Sequence, residues 1–292
     1  MIEIFRSLII GAVQGITEFL PISSSGHLVL VPYIFGWDYK GLSFDIALHF
    51  GTVIAIVAFF WKDWMNIIKS AVESCHSELV SESHHNEKIL KPQACRHGMQ
   101  VQDDKVVIFP KNLLWQIIIA TIPAAIVGYL ISGYVESTFH SPILLASNLV
   151  VFGVVLYLVD RFAKKSSQIS NIGYKQSFSV GLAQCLALVP GVSRSGITMI
   201  ASRSLGLNRE NAARFSFLLG TPAMIGAFVF DIKDLPLSGI NLPFILGVVS
   251  STFFGFIAIK YLLQYLKRGS FSVFMWYRIA LAIVVLSIYF VR

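Results

Sequence analysis

The sequence predicts an all-α polytopic membrane protein with about six transmembrane helices and two inverted re-entrant helix pairs. Three observations predict this class. Hydrophobic residues make up 55% of the 292 residues and charged residues only 13%, with a mean hydropathy of +0.70, far from the composition of a soluble domain. Six apolar runs are long enough to cross a bilayer. A polar motif inside apolar flanks occurs twice.

The six apolar runs define the predicted spans. Each has close to the length of about 20 residues with which a helix crosses the roughly 30 Å hydrocarbon layer. The segment from Met1 to Leu20 is also apolar, but Glu18 lies within it and no convincing small-residue cleavage site follows, so we expect it to belong to the mature structure. The predicted spans lie near residues 43 to 60, 113 to 132, 142 to 159, 212 to 230, 242 to 266 and 271 to 291.

The repeated motif occurs at an offset of 170 residues. Residues 11–30 read GAVQGITEFLPISSSGHLVL, and residues 181–200 read GLAQCLALVPGVSRSGITMI. Unwound backbone at membrane depth must be satisfied by protein or by a polar cavity, so two interrupted apolar segments in corresponding positions indicate a central site. We predict that each region, roughly 2 to 36 and 178 to 207, forms two short helices that meet at a loop.

Loop charges predict the orientation. The connections 61 to 112, 160 to 177 and 267 to 268 are basic, whereas 133 to 141 and 231 to 241 contain few cations. The basic set belongs in the cytoplasm by the positive-inside rule, so both termini face outward. The first helix pair then enters from outside and the second from the cytoplasm. This topology accounts for the net charge of +7 without nucleic acid as a partner.

The halves retain weaker similarity, such as Gly51-Thr52 against Gly220-Thr221, which supports duplication. We predict a single integral membrane domain over residues 1–292, with repeat one at about 1–132 and repeat two at about 142–292. Residues 73–106 are polar and are predicted to form a flexible cytoplasmic insert. No zinc-ligand spacing is present among its cysteines and histidines, which disfavours a metal site: Cys75, His76, His84, His85, Cys95 and His97.

Candidate functional residues in the first motif are Gln14, Glu18 and His27. Gln14 and Glu18 are four residues apart and share one helix face. A carboxylate at membrane depth is costly, so Glu18 is a functional candidate, with an interhelical hydrogen bond as the alternative. His27 follows three serines, and its charge can change near neutral pH, which favours function. His49 lies among apolar residues and is predicted to be structural.

The second motif supplies the complementary charge. Arg194 is a permanent cation whose planar donors suit phosphate oxygens, and neighbouring Ser, Gly and Thr residues add hydroxyl and backbone donors. The residues indicate an anion cradle, with an Arg194 that pairs only with Glu18 as the alternative. Arg203, Arg209 and Arg214 are predicted to be topology signals. The sequence contains no nucleophile elbow, Walker loop or His-Glu-x-x-His motif.

Both motifs resemble those of the bacterial undecaprenyl-diphosphatases linked to bacitracin resistance. The first motif of this family has Glu or Gln, three residues and Glu, then Phe-Leu-Pro and a Ser-rich Gly-His, and residues 14–27 match it. The second, Pro-Gly-x-Ser-Arg-Ser-Gly-x-Thr, matches residues 190–198. The resemblance covers nearly the whole chain except the 73–106 insert, where the family has a short cytoplasmic loop. Gln14 stands where many members have Glu.

The resemblance implies a multi-pass enzyme of the bacterial plasma membrane. It would hydrolyse undecaprenyl diphosphate to the monophosphate and inorganic phosphate, at a site open to the outer side, and so recycle the lipid carrier for peptidoglycan and other cell-wall precursors. Members need a divalent cation, Mg²⁺ or Ca²⁺. The implied partners are the polyprenyl diphosphate and membrane lipids, and no nucleic acid; whether the chain forms a homodimer stays open.

The resemblance also implies roles for residues of both motifs. Glu18, assisted by Gln14, would hold the cation or act as a base. His27 would attack phosphorus or deprotonate water or a serine, and Ser24 is the preferred hydroxyl participant. Arg194 would clamp the phosphoryl group. The predicted phosphate-binding residues are Ser23, Ser25, Ser193, Arg194, Ser195 and Thr198.

The competing hypothesis is a carrier. Inverted repeats with broken helices are a transporter architecture, and a fold does not determine a function. A polyprenyl-phosphate flippase or another secondary transporter would use Arg194 to grip phosphate without breaking a bond. A structural scaffold has no need for Glu18, His27 and Arg194 together.

Overall fold

The computed structural model describes residues 1–38, 41–81, 100–102, 105–107, 109–138, 141–163, 167–234 and 240–291. Within these ranges the chain forms eleven α-helices and one short two-stranded ladder. The helices are α1 Ile2–Phe19, α2 Ser24–Phe35, α3 Leu42–Phe59, α4 Trp61–Ser81, α5 Leu113–Thr138, α6 Pro142–Phe162, α7 Tyr174–Gln184, α8 Arg194–Ser204, α9 Arg209–Asp231, α10 Leu242–Leu266 and α11 Ser272–Val291. The antiparallel strands are β1 Gln100–Gln102 and β2 Lys105–Val107.

The predicted all-α membrane class is confirmed. Six helices of the described chain are long and apolar enough to span a bilayer: α3, α5, α6, α9, α10 and α11. Their bounds fall within a few residues of the predicted runs, because the hydrocarbon thickness sets the length of an apolar helix. The re-entrant, inverted arrangement of the remaining helix pairs stays a prediction.

The helix α4 is a difference from the sequence prediction, which treats residues 61 to 112 as a basic connection. The protein-facing side of α4 is buried at every fourth residue, at Asp63, Ile67 and Ala71. The first part of the 73–106 segment, as far as Ser81, therefore continues this helix. His84, His85, Cys95 and His97 lie outside the described residues, so the flexibility of the insert stays a prediction.

Both motif regions form two helices that meet at a loop, as predicted. The first loop lies between α1 and α2 and contains Pro21, and a short 3-10 helix, Cys185–Leu188, and a loop join α7 to α8. Each second helix begins after a serine with positive φ, Ser23 at 72° and Ser193 at 74°. They are the only non-glycine residues of the described chain in this strained region, which proteins tend to retain at functional sites.

Glycines let each motif helix approach a spanning helix of the other half. α1 packs most extensively against α10, and α7 against α5. A Cβ atom on Gly11 of α1 would overlap the carbonyl oxygen of Gly247 in α10, and one on Gly181 of α7 would overlap that of Ala120 in α5. Gly11 and Gly181 occupy the same place in the two motifs, so the repeated sequence produces a repeated contact.

The helix order favours halves of five matching helices. α1, α2, α3, α5 and α6 correspond in order to α7, α8, α9, α10 and α11, with α4 as an addition to the first set. The last helix of each set packs against its counterpart, α6 on α11. Helix order alone would place a boundary between the repeats after α6, and the predicted division of the chain between about 132 and 142 stays a prediction.

Candidate functional site

The two motif loops meet at Glu18, in the last turn of α1. The Glu18 side chain is only 10% exposed and lies 2.9 Å from Arg194, whose Nη2 donates to Oε1. Ser24 Oγ donates to the other carboxylate oxygen, Oε2, at 2.8 Å, and Gln14 Nε2 donates to it at 3.2 Å. The structure thus brings four of the predicted site residues together, with Gln14, Ser24 and Arg194 around the Glu18 carboxylate.

Ser24 and Arg194 occupy equivalent positions in the two motifs. Each is the first residue of its helix and follows the serine with positive φ. Glu18, however, has Leu188 as its counterpart. The repeated backbone therefore aims two different side chains, a hydroxyl and a guanidinium, at a carboxylate that only one motif supplies.

Two buried polar atoms of this cluster have no hydrogen-bond partner among the described residues: Gln14 Oε1 and Arg194 Nη1. The guanidinium is held in place by Met224, whose sulfur accepts from Nη2 at 2.9 Å, and by Gly220, where a Cβ atom would overlap Nη1. A buried, unpaired polar atom is costly. The free cationic donor and the free amide oxygen therefore favour a ligand that accepts from one and binds the other.

Some oxygen atoms of this cluster could hold a divalent cation. No group of three His, Cys, Asp or Glu side chains in the described chain forms a metal cage. Glu18, Gln14 Oε1 and the Ser24 hydroxyl nevertheless offer oxygen ligands of the kind that Mg²⁺ and Ca²⁺ prefer. Mg²⁺ usually keeps several waters and binds one or two carboxylates together with substrate phosphates, which matches a site with one carboxylate.

His49 of α3 also reaches Glu18. Its Nε2 lies 3.8 Å from Oε2, and the imidazole is 45% exposed. Its Nδ1 lies 2.8 Å from the carbonyl oxygen of Asp45 in the preceding turn, which requires a proton on Nδ1. The sequence prediction that His49 is structural is incomplete, because its apolar neighbours in the chain conceal a position at the rim of the carboxylate.

His27 contacts the loop backbone. Its Nδ1 donates to the carbonyl oxygen of Ser23 at 2.7 Å, so Nε2 is the atom that accepts from the Tyr277 hydroxyl at 2.7 Å. The two rings are stacked, with centroids 5.6 Å apart. None of the contacts described for His27 is to Glu18 or Arg194. The structure therefore places the imidazole where it holds the strained Ser23, and its predicted chemical role stays a prediction.

The remaining predicted phosphate-binding hydroxyls are engaged by protein atoms. Ser23 pairs with Ser25, and Ser193 with Ser195, both at 3.2 Å between the hydroxyl oxygens. Ser195 also donates to the carbonyl oxygen of Leu20, a direct bond between the loops. The fully buried Thr198 donates to the Arg194 carbonyl at 2.8 Å. These contacts shape the loops, and phosphate binding by these residues stays a prediction.

Arg278 of α11 is a site residue that sequence reasoning missed. It is fully buried, and its guanidinium donates to the carbonyl oxygens of both motif loops and of α6. An arginine inside the apolar run 271 to 291 was the available signal, because an ionisable residue at membrane depth is by default functional. Tyr277 carried no comparable signal, since tyrosines are common in such helices.

Arg203, Arg209 and Arg214 have acidic partners within the fold, which the prediction of topology signals did not include; their role in setting the topology stays a prediction. Arg203 and Arg209 both donate to the buried Asp160, at 3.2 and 2.7 Å, and Arg214 pairs with the buried Asp63 of α4 at 2.6 Å. Loop charge alone did not reveal this, because each acidic partner lies far away in the chain.

The chain matches the family described as "Bacitracin resistance protein BacA" over residues 7–284. It is similar to an "Undecaprenyl-diphosphatase" of Pelotomaculum thermopropionicum, with 44% identity over 286 residues that cover 97% of each chain. It is also similar to proteins of the same name from Moorella thermoacetica, 42% identical over 99% of each chain, and Desulforudis audaxviator, 40% identical over 99% of this chain and 98% of the relative.

Proposed function

The chain belongs to the bacitracin resistance protein BacA family, and on this premise we propose that it hydrolyses undecaprenyl diphosphate to undecaprenyl phosphate and inorganic phosphate. The observation that carries the proposal is the buried, unpartnered Nη1 of Arg194 beside the Ser24 and Glu18 pair. A diphosphate headgroup would accept from this donor with its terminal phosphoryl group next to a hydroxyl and a base. The carrier alternative is not favoured, since the relatives compared are named as diphosphatases.

The Ser24 hydroxyl is the proposed nucleophile. Its Oγ already donates to Glu18 Oε2, the arrangement by which a base activates a weak nucleophile. In the first step the proton passes from Oγ to Glu18, Oγ forms a bond with the terminal phosphorus, and the anhydride P–O bond breaks. Undecaprenyl phosphate leaves as an anion. Arg194 faces the phosphoryl oxygens, whose negative charge it stabilises.

The second step regenerates the enzyme. A water oxygen bonds to the phosphorus of phosphorylated Ser24, and the Oγ–P bond breaks. Glu18 returns its proton to Oγ, and both protons of the attacking water stay on the departing inorganic phosphate, which leaves as dihydrogen phosphate. A divalent cation, when bound by Glu18 and the Gln14 amide oxygen, would supply charge neutralisation for the phosphate oxygens.

We place the enzyme in the bacterial plasma membrane, with the site open to the outer side. The basic loops support this orientation through the positive-inside rule. The apolar surfaces between the helices would hold the prenyl chain. Whether two copies associate has no bearing on this site, because one chain supplies all the residues named above.

Purified protein with Mg²⁺ or Ca²⁺ tests the proposal on a prenyl diphosphate. We expect phosphate release that falls by at least about 10²-fold in Ser24→Ala, Glu18→Ala and Arg194→Ala, because each removes a group from the reacting cluster. Ser179→Ala is the matched control, since Ser179 is exposed and donates only within α7. After a rapid acid quench, labelled terminal phosphate should remain on the wild-type chain and not on Ser24→Ala.

Two outcomes contradict the proposal at different points. Phosphate release by Ser24→Ala at the wild-type rate would replace the serine with direct attack by water. A wild-type protein that releases no phosphate, yet moves prenyl phosphate across vesicles, would establish the carrier.

A further inference from the structure

Arg278 carries a buried charge that no carboxylate neutralises. Its side chain is completely buried, and none of the ion pairs among the described residues includes it. A buried guanidinium is costly unless its donors are satisfied, and an ionisable residue at membrane depth is by default a functional candidate. All its described partners are backbone carbonyl oxygens, at 2.6 to 3.2 Å: those of Pro21, Asn148, Leu149, Gly191 and Val192.

The carbonyls that Arg278 binds lie at corresponding points of the two loops. Pro21 and Gly191 match in the repeat, and each lies two residues before the serine with positive φ that begins the next helix. Nη1 donates to Pro21 at 3.2 Å, and Nη2 donates to Gly191 at 2.6 Å. One rigid guanidinium therefore joins the two loops where each turns towards the site.

Helix α6 completes this clamp. Arg278 is the seventh residue of α11 and Asn148 the seventh of α6, so they are counterparts in the two halves. The Asn148 amide donates to the Pro190 carbonyl at 2.8 Å, and Arg278 donates to the Asn148 carbonyl at 3.2 Å. The packed pair of α6 and α11 thus fixes the loops relative to each other as well as to the scaffold.

The clamp acts on the residues that follow it. Pro21 lies three residues before Ser24, and Gly191 lies three residues before Arg194. The spacing between Ser24 and Arg194 around Glu18 therefore depends on where the two carbonyls are held. Because Glu18 already neutralises Arg194, the charge of Arg278 also leaves the loops net positive, which favours a diphosphate.

We propose that Arg278 is a positioning residue that sets the separation of the two motif loops for phosphoryl transfer, and that its unneutralised charge strengthens binding of the diphosphate headgroup. This inference rests on the proposed function, because it assigns Arg278 to the same reaction. The two effects separate by substitution. Lysine keeps the charge but lacks the planar fork, whereas glutamine loses the charge and most of the donors.

The test measures kcat and KM of Arg278→Lys and Arg278→Gln with a prenyl diphosphate, beside the exposed Arg268→Lys and Arg268→Gln as matched controls. We expect Arg278→Lys to lower kcat by about tenfold or more, as for loss of charged hydrogen bonds, with KM within about twofold. Arg278→Gln should lower kcat similarly and also raise KM by about tenfold. The Arg268 variants should match the wild type.

Hydrogen exchange supplies a readout that does not depend on activity. Amides of residues 20–25 and 190–196 should exchange faster in Arg278→Lys, while those of α10 keep their wild-type rates. A folded Arg278→Lys with wild-type kcat and unchanged exchange overturns the positioning role, and an unchanged KM in Arg278→Gln overturns the electrostatic one. If the wild-type protein releases no phosphate but the loop amides still exchange faster in Arg278→Lys, the proposed function is wrong and the role of Arg278 in holding the two loops stands.

A variant that leaves Arg278 in place tests the same contacts even if the Arg278 variants do not fold. Asn148→Ala removes only the amide that donates to Pro190. If Arg278→Lys does not fold, we expect Asn148→Ala to lower kcat by a few-fold and to speed exchange of residues 190–196 alone. Wild-type kcat and exchange in that variant would overturn the inference.

Discussion

Arg194 depends on a glycine of another helix for its position. Its Nη1 lies where a Cβ atom of Gly220 would be, and its Nη2 lies between Glu18 and Met224. The guanidinium has therefore no room to retreat on the α9 side. Glu18 and a bound headgroup must therefore share the hydrogen-bond donors of this fixed guanidinium.

The variant Gly220→Ala should displace Arg194. We expect phosphate release to fall by about 10²-fold, because a misplaced cation no longer stabilises the transferred phosphoryl group. Gly226→Ala in the same helix is the control, since a Cβ atom there meets nothing within 4 Å. It should keep full activity and gain about 0.5–1 kcal/mol of stability from helix propensity. Equal activity of the two variants would contradict the placement of Arg194.

Sequence reasoning reached part of the site for a physical reason. Glu18 and Arg194 are charges in apolar surroundings, and their cost at membrane depth makes each visible without a structure. Arg278 bears the same signal but lies outside both motifs. Tyr277 and His49 bear none, because their contacts with the loops arise only when distant helices pack.

At the scale of helices, the apolar spans were predictable and α4 was not. A span must match the hydrocarbon layer, so its run of apolar residues is long and continuous. The helix α4 instead alternates buried residues with exposed ones. Exposed charged residues such as Lys62 lie beside one stripe of exposed apolar residues: Trp61, Met65, Ile68 and Val72. Charges between the apolar positions make such a helix look like a loop when only mean hydropathy is considered.

The glycine contacts predict that helix approach controls the site. Gly181→Val should force α7 away from the Ala120 carbonyl of α5 and so shift the second loop. We expect a loss of about 1–3 kcal/mol in stability, as for overpacking, together with reduced activity. Thermal unfolding in detergent measures the first effect. Gly128→Ala in α5 is the control, because its Cβ atom would meet only Leu188 at an ordinary 3.7 Å; similar Tm values for both variants would contradict the contact.

At the scale of the whole molecule, a buried ion network ties the end of α6 to the second half. Asp160 accepts from Arg203 and Arg209 and from the backbone N–H of Phe271, which precedes α11. Arg209 also donates to the carbonyl oxygen of Gly269 in the same connection. Three chain segments therefore meet at the Asp160 carboxylate. Asp160 lies near the end of α6, whereas the contacts with the motif loops are made by Asn148 in its first half.

Asp160→Asn should destabilise the protein without acting on the chemistry directly. Two arginines would lose their counter-ion inside the protein, which we expect to cost about 3–5 kcal/mol. Asp38→Asn, at an exposed position, is the control. Thermal unfolding should show a large decrease in Tm only for Asp160→Asn, and any folded fraction should retain the wild-type KM. A Tm equal to that of the control would show that the network contributes nothing.

The equivalence of Ser24 and Arg194 has a consequence for the ancestry of such a site. Two identical polypeptides related by exact symmetry would present either two hydroxyls or two guanidiniums at these corners, and two carboxylates or none between them. Fusion of such copies into one gene would allow each to change alone. A nucleophile and a cation could then arise at equivalent positions of two otherwise similar helix pairs.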